Sequence, residues 1–106
     1  MATPLEAQKL IADGALLLDV REDGEFAAGR SADARHLPLA TLPDYLETLD
    51  RERQIVCVCR SGGRSARATE FLVEQGFDAV NLEGGMTAWH EAGLPMVADS
   101  GEPIVA

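Results

Sequence analysis

The chain is poor in cysteine, in basic residues and in long apolar runs, and each shortage removes a class of protein. Two cysteines, Cys57 and Cys59, are too few for a disulfide-stapled secreted scaffold. With one residue between them they cannot pair with each other without badly straining the backbone, so free thiols are expected. Together with His36 and His90 they show no ligand spacing, and no metal site is expected. Nine basic residues stand against eighteen acidic ones, a net charge of −9. That balance disfavours nucleic acid and anionic membrane as partners, because both demand basic surface. No stretch approaches the roughly 20 apolar residues of a membrane span. The N-terminus Met1-Ala2-Thr3-Pro4-Leu5-Glu6 has no basic region followed by an apolar run, and the expected location is the cytoplasm. Repeats, low-complexity tracts and linkers are also missing.

What is present fits one domain over residues 1–106, with a loose tail from about 97 to 106. A hydrophobic share of 46% supports a packed interior, and a charged share of 25% an ordinary soluble surface. Thr3-Pro4-Leu5-Glu6 reads as a capping box with proline at the first helical position, opening a helix that Gly14 ends. Ala15 to Leu18 leads into Asp19-Val20-Arg21 as a strand buried on both faces. Glu22 to Ala28 reads as a short helix, and Arg35 to Leu39 as a short strand cut off by Pro38. Apolar positions 42, 45, 46 and 49 predict a helix from Leu42 to Leu49. Gln54-Ile55-Val56-Cys57-Val58-Cys59 is the clearest strand, β-branched and uncharged across its centre. A helix over Ser65–Gln75 closed by Gly76, a strand over Ala79–Leu82 and a helix around Met86 to Glu91 complete the chain. Strands alternating with helices imply an α/β fold, a largely parallel sheet covered on both faces.

The segment Cys59-Arg60-Ser61-Gly62-Gly63-Arg64-Ser65 joins the best strand to the best helix, where open parallel sheets place their ligands. Gly62 and Gly63 are expected to take positive φ, letting successive N–H groups converge as an anion nest. The helix that follows adds the positive end of its dipole. Arg60, Arg64 and Arg67 fall within eight positions, a local basic cluster in an acidic chain, and point to a small anion. A sulfur at the mouth of this loop sits in a field that favours thiolate, so Cys59 is placed as a nucleophile. Cys57, in mid-strand, is read as a core residue.

The same residues resemble the active-site loop of rhodanese domains. Leu18-Asp19-Val20-Arg21-Glu22 with Glu25-Phe26 resembles their first signature. Asn81-Leu82-Glu83-Gly84-Gly85-Met86 with Trp89 and Gly93-Leu94-Pro95 resembles their last. The three segments occur in family order over nearly the whole chain. The resemblance implies a rhodanese-like sheet of about five mostly parallel strands with helices on both faces. It also implies that Cys59 accepts sulfane sulfur and that the loop amides, with Arg60, Ser61, Gly62, Gly63, Arg64 and Ser65, hold the persulfide and its donor. Two departures stand out: Gly29-Arg30-Ser31-Ala32-Asp33-Ala34 replaces the usual Gly-His-Ile-Pro-Gly-Ala, and the short N-terminus puts the first edge strand in question. Asp19, Arg21 and Glu25 are expected in ion pairs and caps around the site, Trp89 in packing, and His36 and His90 in surface or structural positions.

The implied chemistry is sulfur transfer from a small anionic donor such as thiosulfate to cyanide or a thiol through a Cys59 persulfide, with no cofactor. Related folds use such a loop in cysteine phosphatases and arsenate reductases of the Cdc25-like kind, but with five residues between cysteine and arginine. Only four separate Cys59 from Arg64 here, a cradle too small for a tetrahedral oxyanion. A non-catalytic binding module on this fold typically lacks the cysteine. A persulfide carrier acting between protein partners, including a protein sulfur acceptor, remains open.

Overall fold

The computed structural model describes residues 1–106. Helix α1, Pro4–Ala12, begins as its sequence requires: the Glu6 amide donates to the Thr3 hydroxyl, and the Thr3 amide to the Glu6 carboxylate. Strand β1, Leu16–Asp19, leads to helix α2, Asp23–Ala28, and strand β2, Ala34–His36. A 3₁₀ helix follows over Leu39–Thr48, then strand β3, Ile55–Val58, and helix α3, Gly63–Glu74. Strand β4, Ala79–Asn81, and helix α4, Gly85–Glu91, end the regular structure.

The strands form one parallel sheet in the order β2-β1-β3-β4. It has four strands rather than about five. Ala2 alone reaches the vacant edge, in a single parallel bridge to Leu82. Along the strands, side chains alternate between two cores. Leu17, Val56 and Val58 pack with Ala7 of α1 and with Met86 and Trp89 of α4. Leu18, Ile55 and Cys57 pack on the other face with Ala68 and Leu72 of α3 and with Leu42. Trp89 is buried, as expected of a packing residue, and its indole N–H donates to the Pro95 carbonyl at 3.0 Å.

Three elements differ from the sequence reading, each for a local reason. The segment expected as an α-helix from Leu42 to Leu49 is 3₁₀ and begins at Leu39. Pro43 lacks the N–H that would bond the Leu39 carbonyl, so the regular i→i−4 ladder cannot run through it. Helix α3 starts at Gly63, two residues before Ser65, which shortens the preceding loop to 60–62. The segment 97–106, expected to be loose, has almost no regular structure but is tied down. Val97 bridges Arg30, the Asp99 and Ile104 amides donate to the Ala27 and Ala28 carbonyls at 3.0 Å each, and Asp99 pairs with Arg30 at 2.8 Å.

Where β1 ends, Asp19 and Arg21 are both wholly buried. The guanidinium donates to the carboxylate through Nε at 3.0 Å and Nη2 at 2.8 Å, and Nη2 also reaches the Gly29 carbonyl at 2.7 Å. The pair thus ties the end of β1 to the end of α2. Removing one partner of a buried pair leaves a charge without compensation, which costs about 3–5 kcal/mol. Asp19→Ala is therefore expected to lower the unfolding free energy by about 3–5 kcal/mol in denaturant titration with an unchanged slope. A loss under about 1 kcal/mol would show that the pair is not a brace.

Candidate active site

Strand β3 pairs with β1 on one side and β4 on the other, so its C-terminal end delivers Cys59 to the centre of the sheet edge. Arg60, Ser61 and Gly62 then turn the chain into α3. Gly62 takes φ +117°, the left-handed region that glycine adopts without strain. Gly63 does not share it: it is the first residue of α3. A Cβ on Gly63 would meet nothing within 4 Å, so its lack of a side chain leaves open space there.

The sulfur of Cys59 lies buried inside this turn. Gly62 N–H reaches Sγ at 3.1 Å and the Ser65 hydroxyl at 3.2 Å. The amides of Ser61 and Ser65 add to them. Ser65 is the third residue of α3, whose N–H an N-cap side chain ordinarily satisfies. Gly62 has no side chain to do so, and the Cys59 sulfur lies against this helix start, within reach of the Gly62 N–H and the Ser65 hydroxyl. Burial pushes the Cys59 thiol up, but the hydrogen bonds from the Ser65 hydroxyl and amide and from the Gly62 and Ser61 amides outweigh it. The thiol is held below its ordinary range. Cys57, on the same face two residues earlier, has the opposite fate: burial pushes it up to about 11, Thr69 offsetting only part.

The loop is held from behind by α4. The Met86 amide donates to the Cys59 carbonyl at 2.8 Å and the Thr87 amide to the Arg60 carbonyl at 3.0 Å. A Cβ on Gly85 would stand 2.5 Å from both carbonyls, so only glycine permits this approach. From sequence, Gly84-Gly85 is a turn before a helix; its support of a loop some 25 positions away could be suspected only from two glycines abutting a helix start.

The basic residues divide. Arg64 makes a two-pronged ion pair with Glu25, Nη1 to Oε1 at 2.6 Å and Nη2 to Oε2 at 2.8 Å. Its guanidinium is turned to α2 and its charge is already met there. Arg60 is exposed and outside every ion pair, as is Arg67. Asp19, Arg21 and Glu25 form ion pairs around the site, and Glu25 also accepts the Glu22 amide at 3.0 Å. His36 is structural: its ring stacks on Phe26 with centroids 4.2 Å apart, and Nε2 lies 2.7 Å from the Arg21 carbonyl. His90 is exposed on α4.

Comparison with known proteins agrees with this architecture. The model of the rhodanese-like domain matches residues 3–92. The chain is 46% identical over 90 residues to YtwF of Bacillus subtilis, covering 84% of this chain and 87% of that one. It is 36% identical over 96 residues to the thiosulfate sulfurtransferase GlpE of Actinobacillus pleuropneumoniae, covering 89% of each. Among solved structures, a rhodanese-related protein from Thermoplasma volcanium superposes with a TM-score of 0.84 at 34% identity, covering 90% of this chain and 94% of that one. A fold of four parallel strands with a cysteine turn at its centre, matched at this level over nearly its whole length, places the chain in the rhodanese-like domain family.

Proposed function

We propose that the protein is a sulfurtransferase in which Cys59 carries sulfane sulfur as a persulfide. The observation that carries this reading is the hydrogen-bonded Cys59 sulfur, whose donors favour an anionic form despite burial. The thiolate attacks the outer sulfur of thiosulfate; the sulfur–sulfur bond breaks, and its electron pair leaves with sulfite. The Cys59 persulfide anion then gives its outer sulfur to cyanide, forming thiocyanate, or to a thiol of a small molecule or a protein, and the thiolate returns. The amides that stabilise the thiolate also suit the persulfide anion. Arg60 is the cation free to draw in the donor, while Arg64, paired with Glu25, forms part of the wall. No general base or cofactor takes part, and a reducing cytoplasm suits two free thiols. The names of GlpE and of the sulfurtransferase of Allochromatium vinosum, 42% identical over 87 residues, support the same chemistry. Phosphoryl transfer fits less well, since Arg64 is committed to Glu25 and the turn closes on a single sulfur atom.

Thiosulfate treatment should add one sulfur atom to the intact protein by mass spectrometry, and cyanide should remove it. Cys59→Ser is expected to lose the addition and to lower thiosulfate-to-cyanide transfer by about 10³-fold or more. Cys57→Ser should keep most of both. Equal loss in a folded Cys57→Ser protein, or a parent that takes up no sulfur, would overturn the assignment.

The Glu25–Arg64 pair has a pH signature. The hydrogen bonds from Arg64 hold the Glu25 carboxyl well below its usual range, at about 2. A carboxylate lowered on folding contributes stability above its unfolded value, ordinarily 4.5, and loses it as pH falls toward about 2. Against Glu25→Gln, the wild type should melt higher at pH 6 by about 4–8 °C, for a partly exposed pair contributing about 1 kcal/mol. That advantage should vanish on acidification through this window. A difference that persists at the acid end would mean that the pair does not act through the ionised carboxylate.

A further inference from the structure

Asn81 ends β4 in register with Cys57, which places it on the face of the sheet that α3 covers. It is 8% exposed. Its Nδ2 donates to the Gly62 carbonyl at 3.1 Å, while its Oδ1 is buried without a partner. A buried amide left half-satisfied is a poorer core residue than a leucine of similar size. Stability by itself does not account for it, and the Nδ2 bond is what the side chain adds.

That bond falls at the one residue whose geometry matters most to the sulfur. Gly62 N–H is the amide 3.1 Å from Cys59 Sγ, and Gly62 sits in the left-handed conformation. Its carbonyl already takes the first helical bond, from Ala66 N–H at 3.0 Å. The Ser65 hydroxyl lies 3.4 Å from it but has a single proton, and Sγ at 3.2 Å is the nearer acceptor. The Ala66 bond comes from within α3; the Asn81 bond comes from the sheet. Held from both, the peptide after Gly62 cannot rock, and the conformation of the glycine before it is set. The carbonyls of Cys59 and Arg60 are held the same way by the α4 amides. Asn81 is the side chain that completes this row of anchors from outside the loop and α3.

We infer that Asn81 is a positioning residue for Cys59: by holding the Gly62 carbonyl from β4 it aims the Gly62 N–H at the sulfur, without touching substrate itself. The inference rests on Cys59 being the nucleophile. Loss of the amide frees a glycine with wide conformational range, and the sulfur loses part of a hydrogen bond that stabilises its anionic form.

The test is the pH dependence of Cys59 alkylation by iodoacetamide in a Cys57→Ser background, which leaves one thiol. Asn81→Leu keeps the volume and removes the donor. It should raise the midpoint by about 0.5–1 pH unit and slow alkylation at neutral pH by about 3–10-fold, with circular dichroism unchanged. Val80→Ala is the control, on the same strand but packed into the opposite core. It should lower the melting temperature and leave the midpoint where it was. Should Asn81→Leu fail to fold, Asn81→Ser, whose hydroxyl is too short to reach Gly62, is read by the same criteria. An unmoved midpoint, or an equal shift in Val80→Ala, overturns the inference. Alkylation needs no sulfur donor, so failure of the parent to take up sulfur would sink the sulfurtransferase reading separately.

Discussion

The contact on which the site depends is the one between the Cys59 sulfur and the N–H groups of the turn into α3. Burial alone makes a thiol harder to ionise, and Cys57 shows the result two residues upstream, in the same core. What separates the two is where β3 ends. Cys57 still has strand neighbours on both sides, whose amides are taken up by the sheet. Cys59 lies one residue past the strand, beside amides that a helix start leaves unpaired. The sulfur answers the helix's need for an acceptor, and the helix answers the sulfur's need for donors.

Around that contact the protein builds in rings. The turn's carbonyls are gripped by the α4 amides and by Asn81, which holds the backbone of the turn from outside it. Helix α2 braces the other side: Glu25 holds Arg64, Arg21 holds the Gly29 carbonyl, and the C-terminal segment binds the carbonyls of Ala27 and Ala28. In a chain with only nine basic residues, three of them, Arg21, Arg30 and Arg64, form ion pairs that fasten α2 in place. Arg60, the residue after Cys59, is exposed and stays outside every ion pair.

Much of this was legible along the chain because it is local. The capping box at Thr3, the apolar run of β3, the glycine turn after Cys59 and the helix beyond it each follow from neighbours a few residues apart, and the structure has them all. Cys57 and Cys59 could be told apart by position alone, mid-strand against strand end. The misreadings were local too. Apolar spacing from Leu42 to Leu49 mimics an α-helix, but Pro43 removes a donor and the tighter 3₁₀ form results. The first turn of α3 lies outside the expected helix because it opens on Gly62 and Gly63, with no hydroxyl or carboxylate side chain to cap it.

The sequence by itself determined the parallel α/β fold and the cysteine turn at its centre, since periodicity, glycine placement and the strand-to-helix junction act over short stretches of chain. Tertiary structure decided the rest, because it joins residues that spacing cannot connect. Glu25 meets Arg64, Asn81 meets Gly62, Gly85 meets the carbonyls of Cys59 and Arg60, and Ile104 meets Ala28. Such bonds depend on the order of the strands and on which face each side chain leaves. The packed sheet sets both, and only there does the direction of a side chain such as Arg64 become definite.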